Sequence, residues 1–210
     1  MKWGHPLSPA TSDFTDEGLI TKISVIPKPY QAELPLWQVI DTPRSIENAG
    51  RDGIQGIFWL PPVSALKPRF ELYRDAASKA QGREVGLGEG IALVRDVYVA
   101  ETMEQAREEF EEAVMNSYRW ITHWRGLGNL MEDGEELTEA HTLDFDFLMD
   151  RNMLVGTPEY VAEKIEELRR EVGLEHLMLW TTHPGLSHDK AMRSLELFSE
   201  HVKPQFDTAQ

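Results

Sequence analysis

The stretch LWQVIDTPRSIENAGRDGIQGIFWL, residues 36–60, contains the pattern that decides the fold. The apolar run at 36–40 predicts a short buried strand. The Asp-Thr-Pro triplet at 41–43 predicts the start of a helix, because proline suits a first helical position whose N–H would be unpaired anyway. Gly53 predicts the end of that helix, and residues 54–60 predict a second strand. The stretch therefore predicts two parallel strands joined by a crossover helix.

The same alternation continues towards the C-terminus. Two more strands are predicted at 91–100 and 177–180, and four more helices at 66–81, 102–124, 157–172 and 187–203. The strands are too apolar to have one face in water, which is typical of a parallel sheet covered by helices. The fold class is therefore α/β, with four βα units and an extra helix before the last strand. Periodicity leaves two architectures possible, an open doubly wound sheet and part of a (β/α)8 barrel.

Composition and charge exclude several classes of function. The chain has 210 residues, of which 36 are acidic, 21 are basic and none is cysteine, so that its formal net charge is −15. This charge argues against nucleic acid or an anionic membrane as a partner, because both attract clusters of Lys and Arg. The lack of cysteine excludes disulfides, thiolate nucleophiles and cysteine-based metal sites. Since the sequence has neither a membrane-spanning run nor a signal-peptide pattern, we expect a soluble, cytoplasmic protein.

We expect one domain over residues 1–210, with two irregular parts. Residues 1–35 contain five prolines and are expected to form an irregular lead-in. Residues 126–153 are acidic and poorly patterned, and we expect an insertion or a long loop there.

The turn after the first predicted strand is a candidate anion site. It lies at the carboxyl end of a parallel strand, where such sheets bind ligands, and at a helix N-terminus, whose free N–H groups and dipole favour an anion. The hydroxyls of Thr42 and Ser45 would add donors, whereas the carboxylate of Asp41 would oppose an anion if it points inward. The alternative interpretation is structural: Thr42 caps the helix and Ser45 faces solvent.

The segment WTTHPGL, residues 180–186, follows the last predicted strand and is the second candidate site. Loops at this end of barrel strands contain catalytic groups, so His183 is the best candidate for proton transfer or hydrogen bonding; the alternative is a plain loop histidine. Phe58 and Trp59, at the end of the second strand, are candidates for lining an apolar pocket, although such aromatics are also common in cores. Glycine-rich phosphate loops, GxSxG and HExxH motifs are missing, and the histidines are too scattered to predict a metal site.

Several segments resemble, in order, the C-terminal half of the bacterial luciferase-like flavin monooxygenases. They are PKPYQAELPLW (27–37), IDTPRSIENAGRDG (40–53), VRDVYVAETMEQAREEF (94–110), VGTPEYVAEKIEELRREVGLEHLMLW (155–180) and PGLSHDKAMRSLELFSEHVKPQF (184–206). That family typically has a Pro-Lys-Pro run ending in tryptophan, then a strand, a small polar turn and a helix ending in Ala-x-x-Gly. The resemblance covers nearly the whole chain except the acidic stretch at about 126–153.

The resemblance implies a (β/α)8 barrel that binds FMN, or in some branches a deazaflavin, at the carboxyl ends of its strands. By position, Asp41, Thr42 and Ser45 would bind the flavin phosphate, although the family often has glycine at the first of these positions. Trp180 and His183 would border the flavin or substrate pocket, with His183 as the catalytic candidate. The implied reaction is oxygenation of a small organic substrate by reduced FMN and O2, with a flavin reductase as partner.

The resemblance also implies that this chain contains only part of the barrel. Its four predicted strands correspond to the family's strands five to eight, and Met1 would already lie mid-barrel. A half-barrel exposes two strand edges and an apolar interior, which need cover. We expect that cover from a partner chain with the first four strands or from a second copy in a homo-oligomer. The alternative functions are a non-catalytic flavin-binding subunit and a truncated fragment.

Overall fold

The computed structural model describes residues 30–31 and 34–207, together with the backbone at 15–16 and 19–20. The chain divides into two compact units, Met1–Pro35 and Leu36–Gln210. In the first unit, strand β1 (Thr15–Asp16) pairs antiparallel with strand β2 (Leu19–Ile20). The irregular lead-in predicted for 1–35 otherwise lies mostly outside the described residues.

The second unit alternates strands and helices. Its elements are β3 (Trp37–Val39), α1 (Pro43–Asp52), β4 (Gln55–Phe58), α2 (Val63–Gln81), β5 (Ile91–Val99), α3 (Met103–Arg125), a 3-10 turn (Gly128–Leu130), α4 (Phe145–Arg151), β6 (Met153–Gly156), α5 (Pro158–Val172), β7 (His176–Trp180), α6 (His188–Leu197), a π-helical turn (Phe198–Val202) and a second 3-10 turn (Lys203–Gln205). The four predicted strands and five predicted helices are confirmed. Strand β6 and helix α4 were not predicted.

Strand β5 is the centre of a parallel sheet. Ala92 and Leu93 pair with both β4 and β7, so these two strands lie on opposite edges of β5. Asp96 pairs with Met153 of β6 and with Trp180 of β7, which places β6 on the same edge as β4 but further along. Since β3 pairs with β4, the order β3-β4-β5-β7 forms a four-stranded parallel sheet that β6 extends.

The side chains of β5 alternate between two cores. Ile91, Leu93 and Val97 pack with α1, α2 and α5 in the first core, whereas Tyr98 packs with α3, α4 and β6 in the second. These four side chains are at most 1% exposed. The central strand therefore has no water-facing side, as its apolar sequence predicts.

One face of the flanking strands is uncovered. The strand register and the alternation of side chains place Val39, Met178 and Trp180 on the same face of the sheet. Val39 is 67% exposed, Met178 38% and Trp180 40%. We call these three residues the open face. It is the surface that would face the interior of a closed barrel.

The acidic stretch at 126–153 is more ordered than an insertion or long loop. Leu130, Phe145 and Leu148 are buried in the second core, beneath α3. Phe145 and Leu148 have helical spacing, but α4 has only seven residues and Leu130 lies in a separate short turn, so the stretch contains too little regular structure to show a periodic pattern. Glu135 accepts hydrogen bonds from the N–H of Glu132 and from side chains of the same stretch. The acidic residues here therefore include structural contacts as well as solvated surface.

Candidate functional site

Three candidate segments follow the carboxyl ends of parallel strands. Asp41, Thr42 and Ser45 follow β3, Trp59 follows β4, and His183 follows β7. Because parallel strands end at the same edge of a sheet, the fold brings the segments to one edge.

The turn after β3 forms a capping box. The Oγ of Ser45 accepts the N–H of Asp41 at 3.1 Å and that of Thr42 at 3.0 Å, while the N–H of Ser45 donates to Thr42 Oγ1 at 3.3 Å. Both hydroxyls therefore already stabilise the start of α1. Thr42 caps the helix, as the structural interpretation of the sequence expects, whereas Ser45 takes part in the cap instead of facing solvent. The N–H of Arg44 is not part of this capping box.

An ion pair connects this turn to helix α3. The guanidinium of Arg125, the last residue of α3, lies 3.8 Å from the carboxylate of Asp41. Both side chains are about half exposed, so the pair adds little to stability. Its significance is positional, since it brings a cation next to the candidate anion site.

A cleft of about 700 Å³ lies beside Arg125. It is lined by Trp59, Asn116, Ser117, Trp120, Ile121, Trp124, Arg125, Trp180 and Pro184, and we call it the tryptophan cleft. The rings of Trp59 and Trp180 stack with centroids 4.8 Å apart and an angle of 21° between planes. The Nε1–H of Trp59 is buried and has no hydrogen-bond partner among the described residues. The cleft thus offers flat apolar walls.

Phe58 does not belong to this cleft. Its side chain is 1% exposed and lies in the first core, stacked on Phe70 with centroids 5.4 Å apart. Because successive side chains of a strand point to opposite faces, Phe58 and Trp59 cannot both line the cleft. The sequence prediction is therefore corrected for Phe58.

His183 lies beneath the cleft in a buried polar cluster. Its side chain is 2% exposed, its Nδ1 lies 2.9 Å from the Oγ of Ser117, and its Nε2 lies 2.9 Å from Oδ1 of Asp96. The contact with Asp96 has ion-pair distance, but the carboxylate lies off the line of the ring N–H, so neither atom makes a hydrogen bond of good geometry. His183 is therefore a buried side chain with two polar neighbours and not a plain loop histidine.

Asp96 is fully buried, and a chain of hydrogen bonds supports it. Tyr118 donates its hydroxyl to Oδ2 of Asp96 at 2.6 Å, and Asn152 donates to the same hydroxyl oxygen at 2.7 Å. Burial, together with the nearby carboxylate, raises the pKa of Tyr118 well above its ordinary value. The tyrosine therefore stays protonated and acts as a donor to Asp96.

Sequence reasoning missed Asp96, Ser117 and the two tryptophans of α3. A signal existed for Asp96, because an Arg-Asp pair inside an apolar strand must find partners in the interior. Trp120 and Trp124, together with Ser117, recur at helical spacing on one face of α3, and the exposed fractions of the two tryptophans are 69% and 72%.

Within the part of the chain that the structure describes, His, Asp and Glu side chains form no group of three that could bind a metal ion. None of the helices in that part is both long and apolar enough to cross a bilayer.

The fold and the site define a class of protein: a barrel-type parallel α/β protein with an aromatic cleft at the carboxyl ends of its strands. The family model described as luciferase-like monooxygenase matches residues 10–176, and the chain belongs to that family. The expected (β/α)8-type architecture is thereby confirmed as the fold class, in place of an open doubly wound sheet.

One curated relative and two solved structures illustrate the match. The chain is similar to 3,6-diketocamphane 1,6-monooxygenase of Pseudomonas putida, with 29% identity over 173 residues that cover 77% of this chain and 43% of that protein. It is similar to the crystal structure of monooxygenase RslO1 from Streptomyces bottropensis, with a TM-score of 0.68 and 25% identity over 86% of this chain and 51% of that one.

The second solved structure is the oxygenating constituent of 3,6-diketocamphane monooxygenase from Pseudomonas putida, described as a type II Baeyer-Villiger monooxygenase in complex with FMN. Its TM-score is 0.60, with 25% identity over 80% of this chain and 47% of that one. The chain therefore spans about half the length of the relatives it matches.

Proposed function

We propose that this chain contains the phosphate-binding and substrate-facing units of a flavin-dependent monooxygenase, which uses reduced FMN and O2 to oxygenate a small organic substrate. Family membership supports the class of reaction. The observation that supports the assignment most directly is the ion pair between Arg125 and Asp41 at 3.8 Å, because it joins the candidate anion site to the tryptophan cleft. The phosphate of FMN would bind at the candidate anion site, and its ring system would bind in the tryptophan cleft.

The donor set at the turn after β3 fits a phosphate. The N–H of Arg44 lies in the first turn of α1, where the helix dipole favours an anion. Arg125 could exchange its contact with Asp41 for a phosphate oxygen, which a guanidinium binds well. Thr42 and Ser45 would contribute only if their hydroxyls share the hydrogen bonds of the capping box.

The tryptophan cleft fits a flat ring, because four indole side chains line it. Bound FMN would supply the oxygen-activating chemistry, while the chain positions the ring and excludes water. Trp180 forms one wall of the cleft, and His183, stacked on Trp180 with centroids 5.9 Å apart, is the proposed catalytic group beneath it.

The open face supports the proposal that further (β/α) units complete the site. Val39, Met178 and Trp180 would be exposed apolar surface in a free half-barrel, and such surfaces usually bind another element. The four units of this chain would correspond to strands five to eight. A partner chain or a second copy would supply the cover, and a flavin reductase would supply reduced FMN. A flavin-binding subunit without activity is the second candidate, favoured by the capping box that already uses the hydroxyls of the turn.

Titration of the purified chain with FMN and with riboflavin tests the proposal. The two ligands differ by the phosphate, so their difference in affinity isolates the anion site; we expect FMN to bind roughly ten- to hundredfold more tightly. A deazaflavin cofactor is titrated in parallel, and size-exclusion chromatography reports whether colour travels with a monomer or an oligomer.

A variant pair locates the site. Arg125→Gln should weaken FMN binding and leave riboflavin binding unchanged, whereas Arg119→Gln, on the same helix but in contact with Asn116, should change neither. Equal affinities for FMN and riboflavin would contradict the proposed phosphate site. A folded chain that binds no flavin, alone or with a partner, would contradict the proposed function.

A further inference from the structure

The turn at 59–62 connects the end of β4 to the start of α2, and it contains the indole that stacks on Trp180. Pro61 and Pro62 have no N–H, so half of the turn cannot donate a backbone hydrogen bond. Among the described residues, no backbone N–H donates to the carbonyl of Trp59 or of Pro61. These carbonyls therefore need a donor from elsewhere.

The side chain of Arg95 supplies that donor. Arg95 lies in the central strand β5 and is 1% exposed. Its Nη1 donates to the carbonyl of Trp59, and its Nη2 donates to the carbonyl of Pro61 at 2.6 Å. A further contact joins Nη1 to the carbonyl of Val94 at 3.3 Å. One planar guanidinium thus connects two carbonyls of the turn to the centre of the sheet.

Burial of this cation is costly. Within the described part of the chain, the acceptors of its hydrogen bonds are neutral carbonyls and not carboxylates. Burial lowers the pKa of Arg95 to about 10, so the guanidinium is still charged at neutral pH. An unbranched apolar side chain could fill similar space without desolvating a charge. The packing of β5 alone therefore does not account for an arginine here, whereas its contacts with the turn do.

The turn that Arg95 holds determines where one wall of the tryptophan cleft lies. The carbonyl that accepts from Nη1 belongs to Trp59 itself, so its position limits where the indole can lie. The indole stacks on Trp180 with centroids 4.8 Å apart. Its own Nε1–H has no hydrogen-bond partner among the described residues, so no polar contact of the ring fixes it there. The backbone contact with Arg95 is what orients this wall.

We propose that Arg95 is a positioning residue of the tryptophan cleft: its guanidinium holds the turn after β4 so that Trp59 is stacked on Trp180 before a ring compound enters. The stacked pair is then a preformed wall that binding does not have to order. The inference rests on the proposed function for the assignment of the cleft to the flavin ring. It adds a residue that is not part of the lining of the cleft.

Circular dichroism of the purified full-length chain, without flavin, measures the stacking. Two stacked indoles couple their electronic transitions and give a pair of far-UV bands of opposite sign, which a single indole does not give. The parent chain should show this pair of bands. Trp180→Phe keeps a ring but removes one indole, and it should lose them. The difference between the two spectra is the stacking signature of Trp59 and Trp180.

Two substitutions of Arg95 test its role. Arg95→Lys keeps a charge, but an ammonium lacks the fork that reaches both carbonyls, and Arg95→Met has no donor at all. Both variants should lose most of the stacking signature. Arg193→Lys is the matched control and should keep the signature, because Arg193 is 42% exposed and donates to the carboxylate of Glu109. A merely structural role of Arg95 would lower the free energy of unfolding and leave the signature of the folded chain unchanged.

Chemical rescue tests the guanidinium itself. Arg95 also lines a cavity of about 320 Å³, together with Val63, Ser64 and Asn152 among others. Arg95→Ala would extend this cavity by the space of the lost side chain, which a free guanidinium ion can enter. Guanidinium chloride, below the concentration at which the variant unfolds, should restore the stacking signature and saturate, whereas ammonium chloride should not. If Arg95→Ala does not fold, Arg95→Lys and Arg95→Met decide the test.

Titration with FMN and riboflavin separates the wall from the phosphate site. Arg95→Lys should weaken both ligands by the same factor, roughly two- to tenfold, because binding then has to order one side chain of the wall. Arg125→Gln, by contrast, should weaken FMN only. An Arg95→Lys chain that loses affinity for FMN alone would contradict a role at the wall.

Three spectroscopic results would overturn the inference: a parent spectrum without the bands that Trp180→Phe should remove, a signature of full size in both Arg95→Lys and Arg95→Met, or a rescue of Arg95→Ala by ammonium as strong as that by guanidinium. The flavin titrations of the parent are read separately. Flavin binding by a chain whose signature does not depend on Arg95 would overturn this inference alone. A signature that depends on Arg95 in a chain that binds no flavin would overturn the proposed function and leave the positioning role standing.

Discussion

The rings of Trp37 and His176 meet edge to face, with centroids 5.5 Å apart, although the two residues lie on the first and last strands of the order β3-β4-β5-β7. In a flat sheet, three strand spacings would separate the two strands by about 14 Å. Inward-pointing side chains can touch over that span only if the sheet curves strongly. The contact is therefore direct evidence of barrel-like curvature in these four strands.

A double-mutant cycle measures what this contact contributes to stability. Trp37→Phe and His176→Ala, alone and combined, should show a coupling free energy of about 0.5–1 kcal/mol in urea unfolding, the usual range for aromatic pairs. Trp124→Phe combined with His176→Ala serves as the control and should be additive, because Trp124 lies on α3. Zero coupling between Trp37 and His176 would mean that the two rings do not meet in solution.

Tyr118→Phe tests the cluster around Asp96. The substitution keeps the ring but leaves Oδ2 of Asp96 and the amide of Asn152 without their partner in a buried site, so we expect a loss of about 1–3 kcal/mol in the free energy of unfolding. Tyr98→Phe is the comparison and should cost less, because its partner Glu109 keeps the guanidinium of Arg193. Equal losses of unfolding free energy in Tyr118→Phe and Tyr98→Phe would show that burial of the partner carboxylate does not determine how much each substitution destabilises the fold.

Glu135 predicts a pH dependence of the acidic stretch. Hydrogen bonds from the N–H of Glu132, from His141 and from Arg151 lower the pKa of Glu135 from 4.5 to about 2. Because the folded-state pKa lies below the unfolded-state value, this stabilisation is present above about pH 4.5 and is lost as the pH falls towards 2. Glu135→Gln should therefore lower the Tm at neutral pH and have a progressively smaller effect in acid.

Thermal unfolding between neutral pH and acid measures this effect. Glu139→Gln removes the same charge from an exposed position of the same stretch, and its effect on Tm should be small throughout. If the difference in Tm between Glu135→Gln and the parent stays constant down to the lowest pH, the lowered pKa of Glu135 does not stabilise the fold as we expect.

The regular part of the fold was predictable because each element has local signals. Three kinds of local signal agree with one another and with the structure. They are the apolar runs at 36–40 and 54–60, the Thr-Pro helix starts at 42 and 157, and the glycines that end α1 and α5. Strand β6 was missed because it has only four residues and follows an irregular stretch, so periodicity cannot identify it.

The candidate site was predictable only as far as single segments. That Trp59 and Trp180 stack follows from sheet order, which the sequence leaves open. The contact of His183 with Asp96 and Ser117 depends on how α3 packs against the end of β5, a tertiary relationship without a local signal. Phe58 was assigned to the wrong side because the pattern predicts a strand but not which of its faces meets the cleft.

The open face predicts an effect on assembly. If further (β/α) units cover it, Met178→Lys should weaken the complex, because it would bury an unpaired charge in the barrel interior. Met192→Lys is a matched control on α6: the two methionines are 38% and 41% exposed. Sedimentation velocity of the chain, with its partner if one is found, should show dissociation in Met178→Lys only. Identical profiles for the parent and both variants would contradict coverage of this face.

Thr42 and Ser45 allow capping to be separated from phosphate binding. The capping box alone predicts that Thr42→Ala with Ser45→Ala lowers the free energy of unfolding by about 1–2 kcal/mol. If the hydroxyls also bind the flavin phosphate, the double variant should lose roughly tenfold or more in FMN affinity while riboflavin affinity stays the same. Thr157→Ala removes the corresponding cap of α5, whose side chain accepts the N–H of Tyr160 at 3.3 Å, and controls for lost stability. A double variant that is less stable but binds FMN like the parent would assign the two hydroxyls to the helix alone and leave the phosphate to Arg125 and the backbone.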